Sequence, residues 1–169
     1  MEVGKIRHLG VSIGSNGNVY QTDAATGVGA EAIQVVYNRL DRIPEREVFP
    51  SCIRNDLGVL ARVPLASGFL SGRYKPGATF GDDDVRAKRD RDSVDRMLRE
   101  VEEIQAGEVP PGLDMAQWAI AWCLAHDAVS ACIPGFINVA QLESGARAAD
   151  LDMVSGTHPQ AYIQKEKRV

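Results

Sequence analysis

Residues 60–72 of the chain read LARVPLASGFLSG. The first residues are apolar and are bounded by Pro64, which predicts a short strand. Ser67 and Gly68 follow the carboxyl end of that strand, where small residues leave backbone N–H groups accessible to a diphosphate. Residues 133–135, Ile-Pro-Gly, end a second apolar run and lead into a helix, so the same arrangement occurs twice.

Short apolar runs alternate with helical patterns along the rest of the chain. The runs are rich in β-branched residues and read as strands, which lie at 6–12, 33–38, 58–63 and 129–133. Their nearly continuous hydrophobicity suits a parallel sheet that is covered by helices. Because strand and helix alternate as in βαβ units, we predict an α/β fold with about four parallel strands.

The helical patterns lie at 45–55, 93–105, 114–126 and 139–149. Pro44 suits the first position of the first helix, in which Pro50 predicts a kink or a short break. The third helix is apolar nearly all round, so we expect it to be buried on more than one face. Asn138 is the predicted N-cap of the fourth helix. One face of that helix is predicted to carry Val139, Leu142, Ala146 and Ala149.

Composition narrows the class of protein. The 169 residues include 19 Lys+Arg and 23 Asp+Glu, which give a net charge of −4, and 44% are hydrophobic. These values are ordinary for one globular domain. No apolar run approaches the ~20 residues of a membrane span, and a mildly acidic chain offers no basic face to nucleic acid. Three widely spaced cysteines form no disulfide framework, which favours the cytoplasm.

Several other motifs carry weaker patterns. The segment at 14–17 lacks phosphate-loop spacing and is read as a turn that begins a helix. The three aspartates at 82–84 are read as the first turn of a helix rather than as a metal site, and we expect no metal. His126 is placed in the last turn of a helix. Tyr74 and Lys75 resemble an acid–base pair, but adjacent residues rarely point at one atom, which favours an exposed loop pair.

Five segments, in this order, resemble the aldo-keto reductase family. They are GKIRHLGVS at 4–12, IQVVYN at 33–38, LARVPLASGFLSG at 60–72, AQWAIAWCL at 116–124 and IPG at 133–135. The likeness covers the second half of that family's (β/α)8 TIM barrel, its fifth to eighth strands. It implies a partial TIM barrel over residues 1–151, followed by a C-terminal extension at 152–169. A complete barrel of this kind typically takes ~250 residues.

The resemblance also implies an activity. Members reduce carbonyl groups by hydride transfer from NADPH, using an Asp, a Tyr, a Lys and a His that lie in the first half of the barrel. Those four positions have no counterpart here. The resemblance therefore implies an NADP-dependent oxidoreductase that is present as a fragment and is inactive alone. The alternative is a non-catalytic nucleotide-binding or interaction module, and a self-contained enzyme using Tyr74 or Lys75 is the least favoured reading.

The resemblance assigns individual residues of this chain to the family's cofactor-binding positions. Ser12 and Gln34 match the residues that hydrogen-bond the nicotinamide carboxamide. Arg62 lies where many members stack a tyrosine on the nicotinamide ring, and a guanidinium plane can also stack. The loop that covers the diphosphate is matched by Leu65, Ser67 and Gly68.

The last cofactor site departs from the family pattern. After Gly135, members commonly have a small residue and then an Arg or Lys that holds the 2′-phosphate, but this chain has Phe136 and Ile137. Losing such a basic residue removes charge-assisted bonds of ~1.5–3 kcal/mol each, which leaves NAD(H) as an alternative to NADP(H). Gln141 is retained at the adenine end. A common Glu-Asn pair is replaced by Ser144 and Gly145.

A half barrel has a physical consequence for association. It leaves the strands at 6–12 and 129–133 as open sheet edges, and it exposes the strand faces that fill the interior of a closed barrel. We therefore expect the chain to pair with itself or with a missing N-terminal half, besides binding a nicotinamide nucleotide.

Overall fold

The computed structural model describes residues 4–151. They form one sheet of parallel strands in the order β1-β2-β3-β4, with helices between them. The strands are β1 (Gly10–Ser12), β2 (Ala32–Val36), β3 (Gly58–Arg62) and β4 (Val129–Ile133). This arrangement confirms the predicted α/β fold with a parallel sheet. The predicted extension at 152–169 lies outside the described residues.

Helices lie between and after the strands. They are α1 (Val19–Asp23), α2 (Val48–Arg54), α3 (Arg91–Gly107), α4 (Met115–Leu124) and α5 (Val139–Arg147). All of them except α2 begin at a residue whose side chain caps the first turn. Asp90 and Asp114 accept hydrogen bonds from backbone N–H groups at the starts of α3 and α4. The side chain of Asn138 accepts one from the N–H of Gln141 at 2.9 Å, which confirms it as the N-cap of α5.

The first strand is shorter than predicted. The sequence predicts a strand over 6–12, but pairing with β2 begins only where Gly10 lies beside Ala32. Residues 6–9 precede that register, although the carbonyl of Leu9 still accepts a hydrogen bond from the N–H of Glu31 at 2.8 Å. An edge strand with one neighbour ends where that neighbour ends, so apolar composition alone overestimates its length.

The helix predicted over 45–55 is divided, but not at the predicted residue. A 3₁₀ turn covers Ile43–Glu45, and α2 begins afresh at Val48. Pro50 is the third residue of α2, where the missing N–H has no partner within the helix in any case. The break therefore precedes the proline.

The predicted placement of His126 is also wrong. Helix α4 ends at Leu124, and His126 lies in the following turn, where the buried imidazole Nδ1 accepts a hydrogen bond from the N–H of Ala128 at 3.1 Å. The expectation that α4 is buried on more than one face is confirmed. Its buried residues are Met115, Trp118, Ala119, Ile120, Ala121, Trp122 and Cys123.

The sheet has two unlike faces. We call the side covered by α2, α3 and α4 the outer face; it carries Ile33, Val35, Val59 and Ala61, which are all fully buried in one apolar core. The opposite side, which we call the open face, remains partly or largely exposed to solvent. Strand register places on it Ser12, Gln34, Val36, Leu60, Arg62 and Ile133.

A buried polar network closes one end of the core. The hydroxyl of Tyr37 donates a hydrogen bond to the carboxylate of Glu45 at 2.8 Å, and Arg42 donates two more to the same carboxylate at 2.9 and 2.8 Å. Burial raises the pKa of Tyr37 far above its usual value. The hydroxyl therefore stays protonated and keeps donating to Glu45.

Across residues 4–151, none of the helices combines the length and the apolar character that crossing a bilayer requires.

Candidate functional site

Two predicted site residues meet on the open face. The side-chain amide of Gln34 on β2 donates a hydrogen bond to the hydroxyl of Ser12 at 3.1 Å, because the register sets these two residues side by side. The pair is exposed to solvent. The amide therefore offers hydrogen-bonding groups at the point where β1 ends.

Arg62 ends the neighbouring strand β3. The register places it between Val36 and Ile133 on the open face. Its side-chain Nε is buried and has no hydrogen-bond partner among residues 4–151. A buried donor without an acceptor is costly, so this nitrogen fits an acceptor that comes from outside the described chain.

The loop that follows β3 has an unusual backbone. Val63, Ala66 and Ser67 all have positive φ angles, of 57°, 49° and 59°, although none of them is glycine. Such conformations cost about 1–3 kcal/mol each and cluster at ligand-binding sites. The N–H of Gly68 donates to the carbonyl of Leu65 at 2.8 Å. The amide of Gly68 is therefore engaged within the turn, contrary to the expectation of an accessible N–H at this residue.

A groove of about 630 Å³ lies between the loops that follow β3 and β4. It brings together five residues that the sequence singled out from separate segments. They are Leu65, Gly68, Gly135, Phe136 and Gln141. Residues Ser12, Gln34, Arg62 and Ser67 do not line it. Of these four, Ser12, Gln34 and Arg62 lie on the open face of the sheet, and Ser67 lies in the loop after β3.

Arg86 joins the groove to the loop after β3. One guanidinium nitrogen donates to the hydroxyl of Tyr74 at 2.6 Å and to the carbonyl of Ser67 at 3.4 Å. The guanidinium also lies 4.6 Å from the centre of the Tyr74 ring and 5.0 Å from that of Phe80. Hydrogen bonds from Arg86 lower the pKa of Asp84 to about 2. This arginine therefore stands at the wall of the groove with its charge paired to Asp84.

These contacts correct two expectations from the sequence. The aspartates at 82–84 do not begin a helix, since α3 starts at Arg91 and Asp84 pairs with Arg86 instead. Tyr74 is half-buried rather than an exposed loop residue, and it lines the groove. Lys75 is exposed and lies 3.5 Å from Glu102, away from the Tyr74 hydroxyl. The two side chains therefore do not form an acid–base pair.

At the far end of the groove, two departures from the family pattern are in contact. A Cβ atom on Gly145 would lie 2.2 Å from Cζ of the Phe136 ring, far inside contact distance. The glycine in α5 therefore makes room for the phenylalanine. The side chain of Ile137 is 86% exposed, while its N–H donates to the side chain of Gln141 at 3.1 Å.

Sequence reasoning missed the two arginines of the groove, Arg73 and Arg86. Both lie in a loop without regular secondary structure, so no periodicity points to their positions. The available signal was a pattern of arginines beside Tyr74 and Phe80, since guanidinium groups stack on aromatic rings.

A comparison with protein families matches the chain to the model described as "Aldo/keto reductase family" over residues 1–158. An aldo-keto reductase of Schizosaccharomyces pombe, yakc [NADP(+)], is 30% identical over 93% of this chain and 47% of its own length. A probable voltage-gated potassium channel subunit beta of Arabidopsis thaliana is 32% identical over 73% of this chain and 40% of its own length.

Solved structures show the same fold. The glycerol dehydrogenase AKR11B4 from Gluconobacter oxydans superposes with a TM-score of 0.77 at 24% identity, covering 97% of this chain and 50% of that one. The holo form of the aldo-keto reductase AKR11C1 from Bacillus halodurans gives 0.70 at 24% identity, covering 97% and 51%. The chain thus spans about half the length of the relatives and structures it matches.

Proposed function

The chain belongs to the aldo/keto reductase family, and on that premise we propose that it provides the nucleotide-binding half of an NADP-dependent oxidoreductase. The reaction would be carbonyl reduction by hydride transfer. The observation that carries the proposal is the groove after β3 and β4, because it gathers five of the predicted cofactor positions around one cavity.

The side chains around the groove and the strand ends fit a dinucleotide. Arg73, which is exposed, gives the groove a cationic group of the kind that binds phosphates, whereas the guanidinium of Arg86 is paired with Asp84. Phe136 offers a flat ring and Gln141 a polar group at the end assigned to adenine. The unsatisfied Nε of Arg62 offers a hydrogen-bond donor near the end assigned to nicotinamide. When bound, the nucleotide would supply the hydride.

The predicted cofactor positions would then bind or orient the nucleotide. Ser12 and Gln34 would hold the carboxamide, and their mutual hydrogen bond fixes the side-chain amide before a ligand arrives. Leu65 and Gly68 would form the wall beside the diphosphate. The strained backbone of this loop supports that role, because strain persists where a fixed shape is required.

We propose NADP(H) as the nucleotide, with NAD(H) as its competitor. The S. pombe relative is named as an aldo-keto reductase with NADP(+), which favours the phosphorylated form. Ile137 has an exposed apolar side chain where the family commonly has a basic one, which weakens the expected hold on a 2′-phosphate. Arg73 is our candidate to compensate, since it is exposed and lines the groove.

We further propose that residues 1–151 form the barrel half, that 152–169 form an extension, and that the protein works in the cytoplasm. Catalysis would need the Asp, Tyr, Lys and His of the family's first barrel half, supplied by another segment. The chain alone would then bind nucleotide without turnover.

Calorimetric titration of the full chain with NADPH and with NADH tests the binding proposal. We expect saturable binding with one nucleotide per chain. The variant Arg73→Ala should bind NADPH roughly tenfold more weakly, since a charge-assisted bond is worth about 1.5–3 kcal/mol. Arg99→Ala, which changes an exposed arginine on α3, serves as the matched control. No binding of either nucleotide would overturn the proposal.

Turnover distinguishes the alternatives. Pure chain mixed with NADPH and a panel of aldehydes and quinones should show only background oxidation. Turnover that Tyr74→Phe abolishes would instead favour a self-contained enzyme. A non-catalytic module is favoured if the chain binds nucleotide but a supplied first barrel half from a related reductase does not restore turnover.

A further inference from the structure

Asn38 is a buried amide just after the carboxyl end of β2. It lies two residues beyond the end of that strand and is 3% exposed. Its side-chain oxygen accepts hydrogen bonds from the backbone N–H groups of Leu40 and Asp41, both at 3.0 Å. In a side-chain amide only the oxygen accepts, so these two donors determine which way the amide is turned. Its nitrogen is therefore directed at a different partner.

That partner is the loop that follows β3. The side-chain nitrogen of Asn38 donates a hydrogen bond to the carbonyl of Val63 at 3.1 Å, and the same carbonyl accepts one from the N–H of Ala66 at 2.9 Å. One residue earlier, the carbonyl of Arg62 accepts a hydrogen bond from the N–H of Tyr37 at 3.2 Å. Two consecutive carbonyl groups are thus held by two consecutive residues that follow β2.

The backbone dihedral between these two carbonyl groups is the φ angle of Val63. This angle is 57°, which is an outlier for a β-branched residue. A residue keeps such a conformation only where the surrounding structure determines it. The hydrogen bond from Asn38 holds the second of the two carbonyls, so it maintains the conformation of Val63 from outside the loop.

The turn that follows Val63 forms a wall of the groove. The N–H of Gly68 closes this turn on the carbonyl of Leu65 at 2.8 Å, and both residues line the groove. The path of the turn depends on the direction in which the chain leaves Val63. Asn38 does not line the groove itself, so any effect of its side chain on the groove passes through the loop.

We propose that Asn38 is a positioning residue for nucleotide binding: it holds the carbonyl of Val63 and thereby keeps the turn at 65–68 in the shape that lies beside the diphosphate. Asn38 acts through this loop on the nucleotide of the proposed function, on which the inference rests. The contacts involved join the segment after β2 to the segment after β3, which are the two inner strands of the described sheet.

Calorimetric titration with NADPH tests the role of Asn38. Asn38→Asp keeps an acceptor for the N–H groups of Leu40 and Asp41, but it places an oxygen against the carbonyl of Val63. The affinity for NADPH should fall roughly tenfold, the effect expected from the loss of one hydrogen bond. An unchanged affinity would overturn the inference.

Asn55→Asp is the matched control. Asn55 precedes β3, at the end of the sheet opposite the groove, and its side-chain nitrogen also donates to a backbone carbonyl, that of Ser51 at 3.0 Å. This change should leave the affinity for NADPH as it is in the wild-type chain. Circular dichroism checks that the variants fold, and Asn38→Ser, which adds no charge, replaces Asn38→Asp if the latter does not. Equal weakening by the two aspartate substitutions would overturn the inference.

Val63→Gly separates the positioning role from a general loss of stability. Glycine adopts a positive φ without steric cost, so the loop then depends less on the hydrogen bond from Asn38. Asn38→Asp should weaken NADPH binding roughly tenfold with valine at position 63 and under about threefold with glycine there. A residue that acted only on overall stability would have the same effect in both backgrounds, and that result would overturn the inference.

Amide exchange of the nucleotide-free chain separates this inference from the proposed function. Asn38→Asp should speed exchange at residues 66–70, and Asn55→Asp should not. A wild-type chain that binds no nucleotide contradicts the proposed function, and faster exchange in this segment would still support control of the loop by Asn38. Unchanged exchange in the segment would overturn the inference, whether or not the wild-type chain binds NADPH.

Discussion

Val35 and Val36 are neighbours on β2, yet their side chains meet different surroundings. Val35 is fully buried on the outer face, among residues of α2, α3 and α4, whereas Val36 lies on the open face and is only partly buried. The outer face thus packs into a closed apolar core. The open face stays accessible to solvent, and Arg62 at its edge has a buried Nε without a hydrogen-bond partner among the described residues. The stability of this chain comes from one side of its sheet, and its binding groups lie on and beside the other.

The largest loss of stability should come from disrupting the buried polar network of Tyr37, Arg42 and Glu45. Glu45→Ala removes the carboxylate that accepts hydrogen bonds from Tyr37 and Arg42 and should lower the free energy of unfolding by about 3 kcal/mol, because it leaves the buried Tyr37 hydroxyl without this acceptor. Glu102→Ala removes an exposed partner of Lys75 and should cost under about 0.5 kcal/mol. Urea denaturation measures both, and equal losses would contradict the account.

The substitutions Val35→Ala and Val36→Ala compare how much each face of the sheet contributes to stability. We expect a loss of about 2 kcal/mol for Val35 and under about 1 kcal/mol for Val36 at a protein concentration where the chain is monomeric. Urea denaturation of the two variants and of the wild-type chain checks this. Equal losses for Val35→Ala and Val36→Ala would contradict the difference between the two faces.

Burial of the Cys52 thiol also predicts that the stability of the fold depends on pH. Burial raises the pKa of the Cys52 thiol from 9.0 to about 11. The unfolded thiol then loses its proton at a lower pH than the folded one, so stability is intact below about pH 9 and falls as the pH rises toward 11. Cys52→Ala should remove about 1 kcal/mol of that loss at pH 10. Thermal unfolding at pH 8 and 10 measures it, and an unchanged slope would count against the burial.

The smallest expected change in stability is at Gly145 beside the groove, where the direction of the change distinguishes the two possibilities. Alanine in place of glycine normally stabilises a helix by about 0.5–1 kcal/mol. Gly145→Ala should instead destabilise by about 0.5 kcal/mol, because the new Cβ meets the Phe136 ring. In a Phe136→Ala background the same change should become stabilising. A double-mutant cycle by thermal unfolding decides this, and equal effects in both backgrounds would show that the two residues are independent.

The elements that the sequence predicts well are those with a local signal. The strands at 58–63 and 129–133 and the Asn138 cap depend on residues close together in the chain, and the structure has them at or within a residue of the predicted bounds. The length of β1 depends on its register with β2, which no local pattern specifies. The contacts of Arg86 depend on how an irregular loop folds back toward Gly68, and the contact of Phe136 with Gly145 depends on where α5 lies.

At the groove, too, some features follow from local sequence motifs and others only from the tertiary structure. Its five predicted members could be carried over from a family resemblance, because four of them lie in short motifs that follow strand ends and Gln141 lies in the first turn of α5. The arrangement that makes them a site, with Arg86 against Tyr74 and the left-handed turn at Val63, arises only in three dimensions. The sequence thus predicts the motifs that meet at the groove, whereas the positions of the arginines that line it depend on how the loop folds.

Hydrogen–deuterium exchange of the full chain, with and without saturating NADPH, tests the central claim most directly. The claim is that the groove after β3 and β4 is the nucleotide site. We predict slower exchange on NADPH addition at residues 65–74 and 135–145, with no change in α2, which lies on the helix-covered side. Unchanged exchange in both segments, or protection confined to other parts of the chain, would contradict the account.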